Sequence, residues 1–315
     1  MKTEELHDRL EARLGGRVDG LRRLSGGASG ETWSFTHAPD GEAPTPLILR
    51  REARKGFTES APEAALFRAA ARAGVPVPAV VVDGTQDEAL GAPFLIVEHV
   101  DGETIPRKIL RDDEYADARP KLAAQCGEIL ARIHRIPVEE VPGLQELNEF
   151  TRYRELLDMF AQPHPAFELG FRWLEARRPP ATGMTVVHGD FRNGNLIIGP
   201  DGVRAVIDWE IAHLGDPMED LGWLCVKAWR FGSPLRVGGF GEEKDLFEAY
   251  ERESGHALDP AVVRWWEIFG TLKWGIICIA QAWSHLSGSA RSVELATIGR
   301  RVCENEWDLL ELIGE

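Results

Sequence analysis

The stretch that most limits the fold of this chain is VVHGDFRNGNLIIGPDGVRAVIDWE, residues 186 to 210. Leu196-Ile197-Ile198 and Val203-Arg204-Ala205-Val206-Ile207 are rich in residues that favour strands. Gly199-Pro200-Asp201-Gly202 lies between them and carries strong turn signals. A hairpin about that turn brings Asn195 and Asp208 out side by side at its open end. Asp190 sits just before, on a loop in which Gly189 and Gly194 permit unusual backbone angles. Two carboxylates and an amide oxygen thus converge, a hard oxygen set that suits Mg²⁺ shared with substrate phosphates. A polar turn with solvated acids is the competing interpretation, but it does not explain why the acids gather at one end of an apolar hairpin.

The same residues resemble a known family. In HGDFRNGN an Asp is followed five residues later by an Asn, as in the catalytic loop of kinases. Ile207-Asp208-Trp209-Glu210 is similar to the metal-binding segment that follows that loop, with Trp-Glu in place of Phe-Gly. HGD, NLI, IDWE and GDPMEDLG together resemble the aminoglycoside phosphotransferase and choline kinase-like family, and most of all the branch fused to some acyl-CoA dehydrogenases. The resemblance implies an α+β, protein kinase-like two-lobed fold. Residues 1–100 would form a small β-rich nucleotide lobe with one main helix, and residues 101–315 a larger helical lobe for catalysis and acceptor binding.

It also implies roles. Asp190 would be the catalytic base, with Asn195 and Asp208 completing the catalytic set and holding Mg²⁺. ATP or GTP would lie between the lobes, and a hydroxyl of a small molecule would accept the γ-phosphate. The glycine-rich run LSGGASGETWSF, residues 24 to 35, would approach the phosphates through Ser25, Gly26, Gly27, Ser29 and Gly30. It is not a GxxxxGK[ST] loop, and Gly/Ser-rich runs also make ordinary hairpin turns. Arg50, ending the strand-like run Leu47 to Arg51, stands where the kinase pattern has Lys. Arg keeps the charge and grips phosphate with a planar fork; the alternative is a surface cation at a strand end.

Residues 59 to 73 read as a helix stopped by GVPVP. Glu63 in its first turn either favours the helix dipole or pairs with Arg50. The run Phe94 to Gly102 would be the hinge, its backbone around Glu98 and Val100 meeting the adenine. A further helix begins near residue 118, with His134 close to its end in a structural role. Trp265, Trp266, Trp274 and Trp283 lie in a dense helical region, as core or as pocket lining. Arg192 either approaches phosphate or holds the loop, His188 anchors the loop, Glu210 joins the outer shell of the metal, and Asp216 and Asp220 give support, Asp220 by capping the next helix or bracing the loop.

Composition narrows the classes. With 36 Lys and Arg against 51 Asp and Glu, the formal charge is −15, which opposes a nucleic-acid partner. Cys126, Cys225, Cys278 and Cys303 are scattered without metal-ligand spacing and read as reduced core thiols. The start MKTEELHDRLEARL is too acidic for a signal or transit peptide, and the apolar run near 274 is too short and interrupted to span a bilayer. The expectation is a cytoplasmic enzyme, with no nucleic acid and no membrane among its partners. A nucleotide-binding pseudokinase, a metal-dependent hydrolase built on His188, Asp190 and Asp208, and a binding or scaffold protein are the other classes.

Overall fold

Strand alternation sorts the first hundred residues into two faces. The structure, a computed structural model, describes residues 1–24, 30–52 and 62–314. α1 (Thr3–Leu14) precedes β1 (Arg17–Arg23), β2 (Gly30–Ala38) and β3 (Thr45–Glu52); α2 (Glu63–Arg72), β4 (Val80–Gly84) and β5 (Phe94–Glu98) follow. The strands form an antiparallel sheet in the order β1-β2-β3-β5-β4. Leu47 and Leu49 of β3, with Phe94 and Ile96 of β5, pack on Leu6 and Leu10 of α1. The intervening Ile48, Leu95 and Val97 turn to the other face and meet α2. Arg50 is two residues beyond Ile48 and pairs across the sheet with Leu95, so the period of two aims its side chain at α2. The helix expected over 59–73 is described from Glu63 to Arg72, with residues 59–61 outside the described set.

After β5 come α3 (Pro106–Arg111), α4 (Arg119–Ile133), α5 (Glu149–Phe160) and α6 (Pro165–Ala176). Three short strands and a hairpin partner follow: β6 (Thr185–Val187), β7 (Leu196–Gly199), β8 (Gly202–Val206) and β9 (His213–Gly215). The chain closes with α7 (Met218–Cys225), α8 (Glu243–Ser254), α9 (Pro260–Leu286), α10 (Val293–Ile298) and α11 (Val302–Gly314). β7 and β8 form the expected hairpin, and β6 pairs with β9 beside it. Asp259 caps α9 by accepting from the Ala261 N–H at 2.8 Å, and Pro260 occupies its first turn. α7 lies tight against α9 because Gly222 has no side chain; a Cβ there would sit 2.7 Å from the Glu267 nitrogen.

One apolar core crosses from the sheet to the helices. It joins Leu66 and Phe67 of α2 and Val97 of β5 to Leu130 of α4, Val206 and Trp209. Backbone bonds from Val206 N–H to Pro76 O (2.8 Å) and from Glu103 N–H to Ile198 O (2.9 Å) tie the hairpin to the segments after α2 and after β5. A second core centred on α9 buries Trp265, Ile268, Phe269, Leu272 and Ile276. Among the described residues no helix is long and apolar enough to cross a membrane. Cys126, Cys225 and Cys278 are buried as expected, whereas Cys303 is exposed, since it lies on the outward side of α11.

Candidate active site

The loop after β6 is clamped from two sides. Asp190 N–H donates to His188 Nδ1 at 3.2 Å, and the other ring nitrogen, Nε2–H, donates to Ile207 O at 3.1 Å. This pair of contacts fixes a neutral tautomer, and burial lowers the pKa of His188. The imidazole thus joins the loop to the hairpin end, the anchoring role expected of it. From below, the buried Asp220 carboxylate accepts from His188 N–H (2.8 Å) and Gly189 N–H (2.9 Å). Asp220, inside the first turn of α7, braces the loop rather than capping the helix; Asp216, just before the helix, accepts from Met218 N–H at 2.9 Å. His134 is buried between Asp220 and the Tyr250 hydroxyl, a structural position.

Asp190 is half-buried and held by three donors. Its Oδ1 accepts from Arg192 Nε and from Trp223 Nε1, both at 2.9 Å, and its Oδ2 accepts from Asn195 Nδ2 at 2.6 Å. Asn195 Nδ2 also bonds the Asp190 carbonyl at 2.9 Å, which leaves the amide oxygen facing away from Asp190. Arg192 holds the loop and lies over the Trp229 ring at 4.7 Å. Trp223 was not singled out from the sequence. It follows Asp220 by three residues, so one turn of α7 presents both to the loop, and that spacing was the available signal.

Asp208 leaves the hairpin in the left-handed region, at φ 69°. Its amide neighbour is near, since Ile207 N–H donates to Asn195 O at 3.0 Å. Arg50 reaches it from the sheet: Nη2 donates to Asp208 Oδ1 at 3.0 Å, Nη1 bonds Glu63, and Glu210 lies 3.9 Å away. Of the two roles left open for Glu63, the pairing with Arg50 is therefore present, and burial raises the pKa of Glu63 against the opposing influence of Arg50. Ser25, Gly26, Gly27 and Ser29 lie outside the described residues; Gly30 opens β2. Glu98 ends β5, where its N–H donates to Ala79 O at 2.9 Å, and Val100 follows after the strand. Of the tryptophans, Trp265 and Trp266 belong to the helical core, Trp283 is 48% exposed against Phe160, and Trp274 packs on Trp229.

Beneath Gly189 lies a charged tier invisible in local sequence. Lys273 of α9 is buried and bonds Glu149 at 2.8 Å and Glu219 at 3.0 Å. Burial disfavours both carboxylates, yet the ammonium holds their pKa values below the ordinary range. Burial likewise opposes the charged Lys273, and the two carboxylates raise its pKa well above normal. His213 of β9 faces Glu219 through Nε2 (3.2 Å) and Ile211 O through Nδ1 (3.0 Å). Both partners are acceptors, so the ring carries two protons. Burial would lower its pKa, but the Glu219 carboxylate prevails and raises it to about 9.

A pH dependence follows. The stability contributed by His213 is complete below its ordinary value of 6.5 and is lost as pH rises through about 9. Thermal unfolding followed from pH 6 to pH 10, as on-scale limits of roughly that window, should show this decline in the wild type and lose it in His213→Gln. Parallel curves for the two proteins would assign the dependence elsewhere.

Mouse (Mus musculus) acyl-CoA dehydrogenase family member 10 is 30% identical over 219 residues, covering 62% of this chain and 20% of that protein. Chicken (Gallus gallus) acyl-CoA dehydrogenase family member 11 is 28% identical over 317 residues, covering 93% of this chain and 39% of that one. The chain therefore spans well under half the length of these relatives. A crystal structure from Ralstonia eutropha, assigned to the aminoglycoside phosphotransferases, superposes with a TM-score of 0.76 at 22% identity, covering 99% of this chain and 98% of its own. A hygromycin-bound aminoglycoside phosphotransferase, APH(4)-Ia, crystallised with AMP-PNP, superposes at 0.66 with 16% identity, covering 98% and 97%. At these identities the structures show the kinase-like fold. The model of the phosphotransferase enzyme family matches residues 20–266, and the chain belongs to that family.

Proposed function

We propose that this chain is a small-molecule kinase, moving the γ-phosphate of ATP or GTP to a hydroxyl with Asp190 as base. The observation that carries this reading is the meeting of Arg50 and Glu63, from the sheet, with Asp208, at the open end of the hairpin that also presents Asn195 and Asp190. Residues 1–100 form the nucleotide lobe in this reading, with the adenine against the backbone around Glu98 and Val100 and the phosphates beside Gly30 and Arg50. Residues 101–315 supply the catalytic loop and the acceptor pocket. The structural relative solved with AMP-PNP and hygromycin B supports a nucleotide and a small acceptor.

The donor set fits Mg²⁺. Asn195 keeps its amide oxygen free of Asp190, and Asp208 offers a carboxylate, both hard ligands that suit a cation completed by phosphates and water. A purely protein-held metal needs more: among the described residues no group of three His, Cys, Asp or Glu side chains could hold one. That favours phosphoryl transfer over a metal-dependent hydrolase. Bound there, the cation would neutralise charge on the β- and γ-phosphates. Asp190, fixed by Arg192, Trp223 and Asn195, orients the acceptor hydroxyl and takes up its proton as transfer proceeds. Oδ1 already accepts two hydrogen bonds, so the hydroxyl is met by Oδ2. Most of the rate in such reactions comes from positioning and charge stabilisation.

Asp208→Ala tests the metal assignment. Nucleotide titration by calorimetry should lose its Mg²⁺-dependent component in this variant, weakening binding by on the order of tenfold or more. An unchanged Mg²⁺ dependence would place the cation on other residues. A pseudokinase would show the same binding without transfer to any hydroxyl compound.

A further inference from the structure

Arg50 contacts the very carboxylate that the phosphotransferase reading gives to the cation. One guanidinium touches Glu63 through Nη1 and Asp208 Oδ1 through Nη2 at 3.0 Å, with Glu210 at 3.9 Å. Among the described residues, three carboxylates thus gather around this positive charge. The chemistry depends on Arg: its rigid fork carries separate N–H tips that bridge two carboxylates at once, whereas a Lys ammonium is a point charge. β3 and α2 fix the Glu63 end, because Arg50 shares the face of Ile48 and Glu63 opens the helix packed on that face. The Asp208 end is the exchangeable one, since Asp208 is half-buried at the mouth of the hairpin.

We propose that Arg50 is a two-position latch: it occupies Asp208 until nucleotide phosphates draw the guanidinium off, so that a divalent cation enters this site together with nucleotide and binds poorly without it. This rests on the reading of Asp208 as a cation ligand. A cation on Asp208 and a guanidinium on the same carboxylate repel each other at a few ångströms. Phosphates relieve that conflict in both directions, giving Arg50 a new anionic partner and the cation further oxygen ligands. Coupling between two ligands is reciprocal, so nucleotide and cation each raise the affinity of the protein for the other. When the nucleotide leaves, Arg50 returns to Asp208 and helps to release the cation.

The test uses Mn²⁺ as the probe, with free Mn²⁺ followed by electron paramagnetic resonance during titration of the whole chain. Arg50→Gln removes the latch, and the double variant Arg50→Gln/Glu63→Gln does so without leaving Glu63 unpaired and without changing net charge. In the absence of nucleotide, both should bind Mn²⁺ roughly tenfold more tightly than the wild type, within the usual range of coupling between sites. Adding Asp208→Asn to the double variant should abolish the gain. ADP should raise Mn²⁺ affinity strongly in the wild type and much less in the variants. Mn²⁺ affinity in the double variant equal to the wild type overturns the latch, as does a gain that survives Asp208→Asn. A gain that depends on Asp208, with no effect of ADP or ATP on the wild type, upholds the guanidinium block and removes the nucleotide reading instead.

Discussion

Asp190→Asn is expected to leave nucleotide binding near the wild-type level while lowering phosphoryl transfer by roughly 10²- to 10⁴-fold, the range for loss of a positioned base. The change is nearly isosteric, so Gly189 and His188 keep their bonds to Asp220, which involve only backbone N–H groups of the loop. Two things are lost. An amide has no carboxylate oxygen to accept the proton of the hydroxyl. Its NH₂ also cannot replace both acceptor positions, because Arg192 and Trp223 donate to one oxygen and Asn195 to the other. Whichever way the amide turns, one donor faces another donor. Calorimetric nucleotide binding and transfer of the γ-phosphate from ATP to a panel of hydroxyl compounds measure the two effects separately. Transfer at the wild-type rate would take the base role away from Asp190.

The largest effect on stability is expected from Lys273→Met. Methionine fills similar space but removes the buried cation that Glu149 and Glu219 share, leaving Arg152 beside Glu149 and His213 beside Glu219 as their cationic partners. Removing one partner from a buried ion cluster typically costs about 3–5 kcal/mol. For a chain of this size that is a fall in Tm on the order of 10 °C. The loss should reach the catalytic loop as well, because Lys273 lies 3.5 Å from Gly189 O and its ring neighbour Trp223 holds Asp190. Removing the carboxylates too, in Lys273→Met/Glu149→Gln/Glu219→Gln, should recover part of the stability. Circular dichroism melts decide the matter; a single variant that melts with the wild type would show that the tier does not support the loop.

The parts of this site legible in the sequence were those set by local rules. Turn chemistry at Gly199–Gly202 and strand-forming runs on either side gave the hairpin, and the hairpin alone brought Asn195 beside Asp208. The pairing of Arg50 with Glu63 came from the kinase resemblance, and the period of two in β3, which sets Arg50 on the face of Ile48, is its physical basis in the structure. What was not legible depends on distant segments. Lys273 lies in the apolar run FGTLKWGIICIA and was not singled out: its partners are 124 and 54 residues away, and no local pattern names them. Trp223 needed the register of α7 before its N–H could be aimed at Asp190. The structural role of Asp220 was open for the same reason: helix capping is a local motif, whereas bracing a loop from below is a tertiary one. Trp265 and Trp266 went to the core because α9 is covered by neighbouring helices along most of its length.

Thermal unfolding of the purified chain with ATP or GTP, each with and without Mg²⁺, tests the central claim most directly. A nucleotide at about 100 times its Kd adds roughly 2.7 kcal/mol to the folded state, and the account predicts a rise in Tm of that origin that depends on Mg²⁺. No rise with either nucleotide at saturating concentration, with Mg²⁺ present, would contradict it.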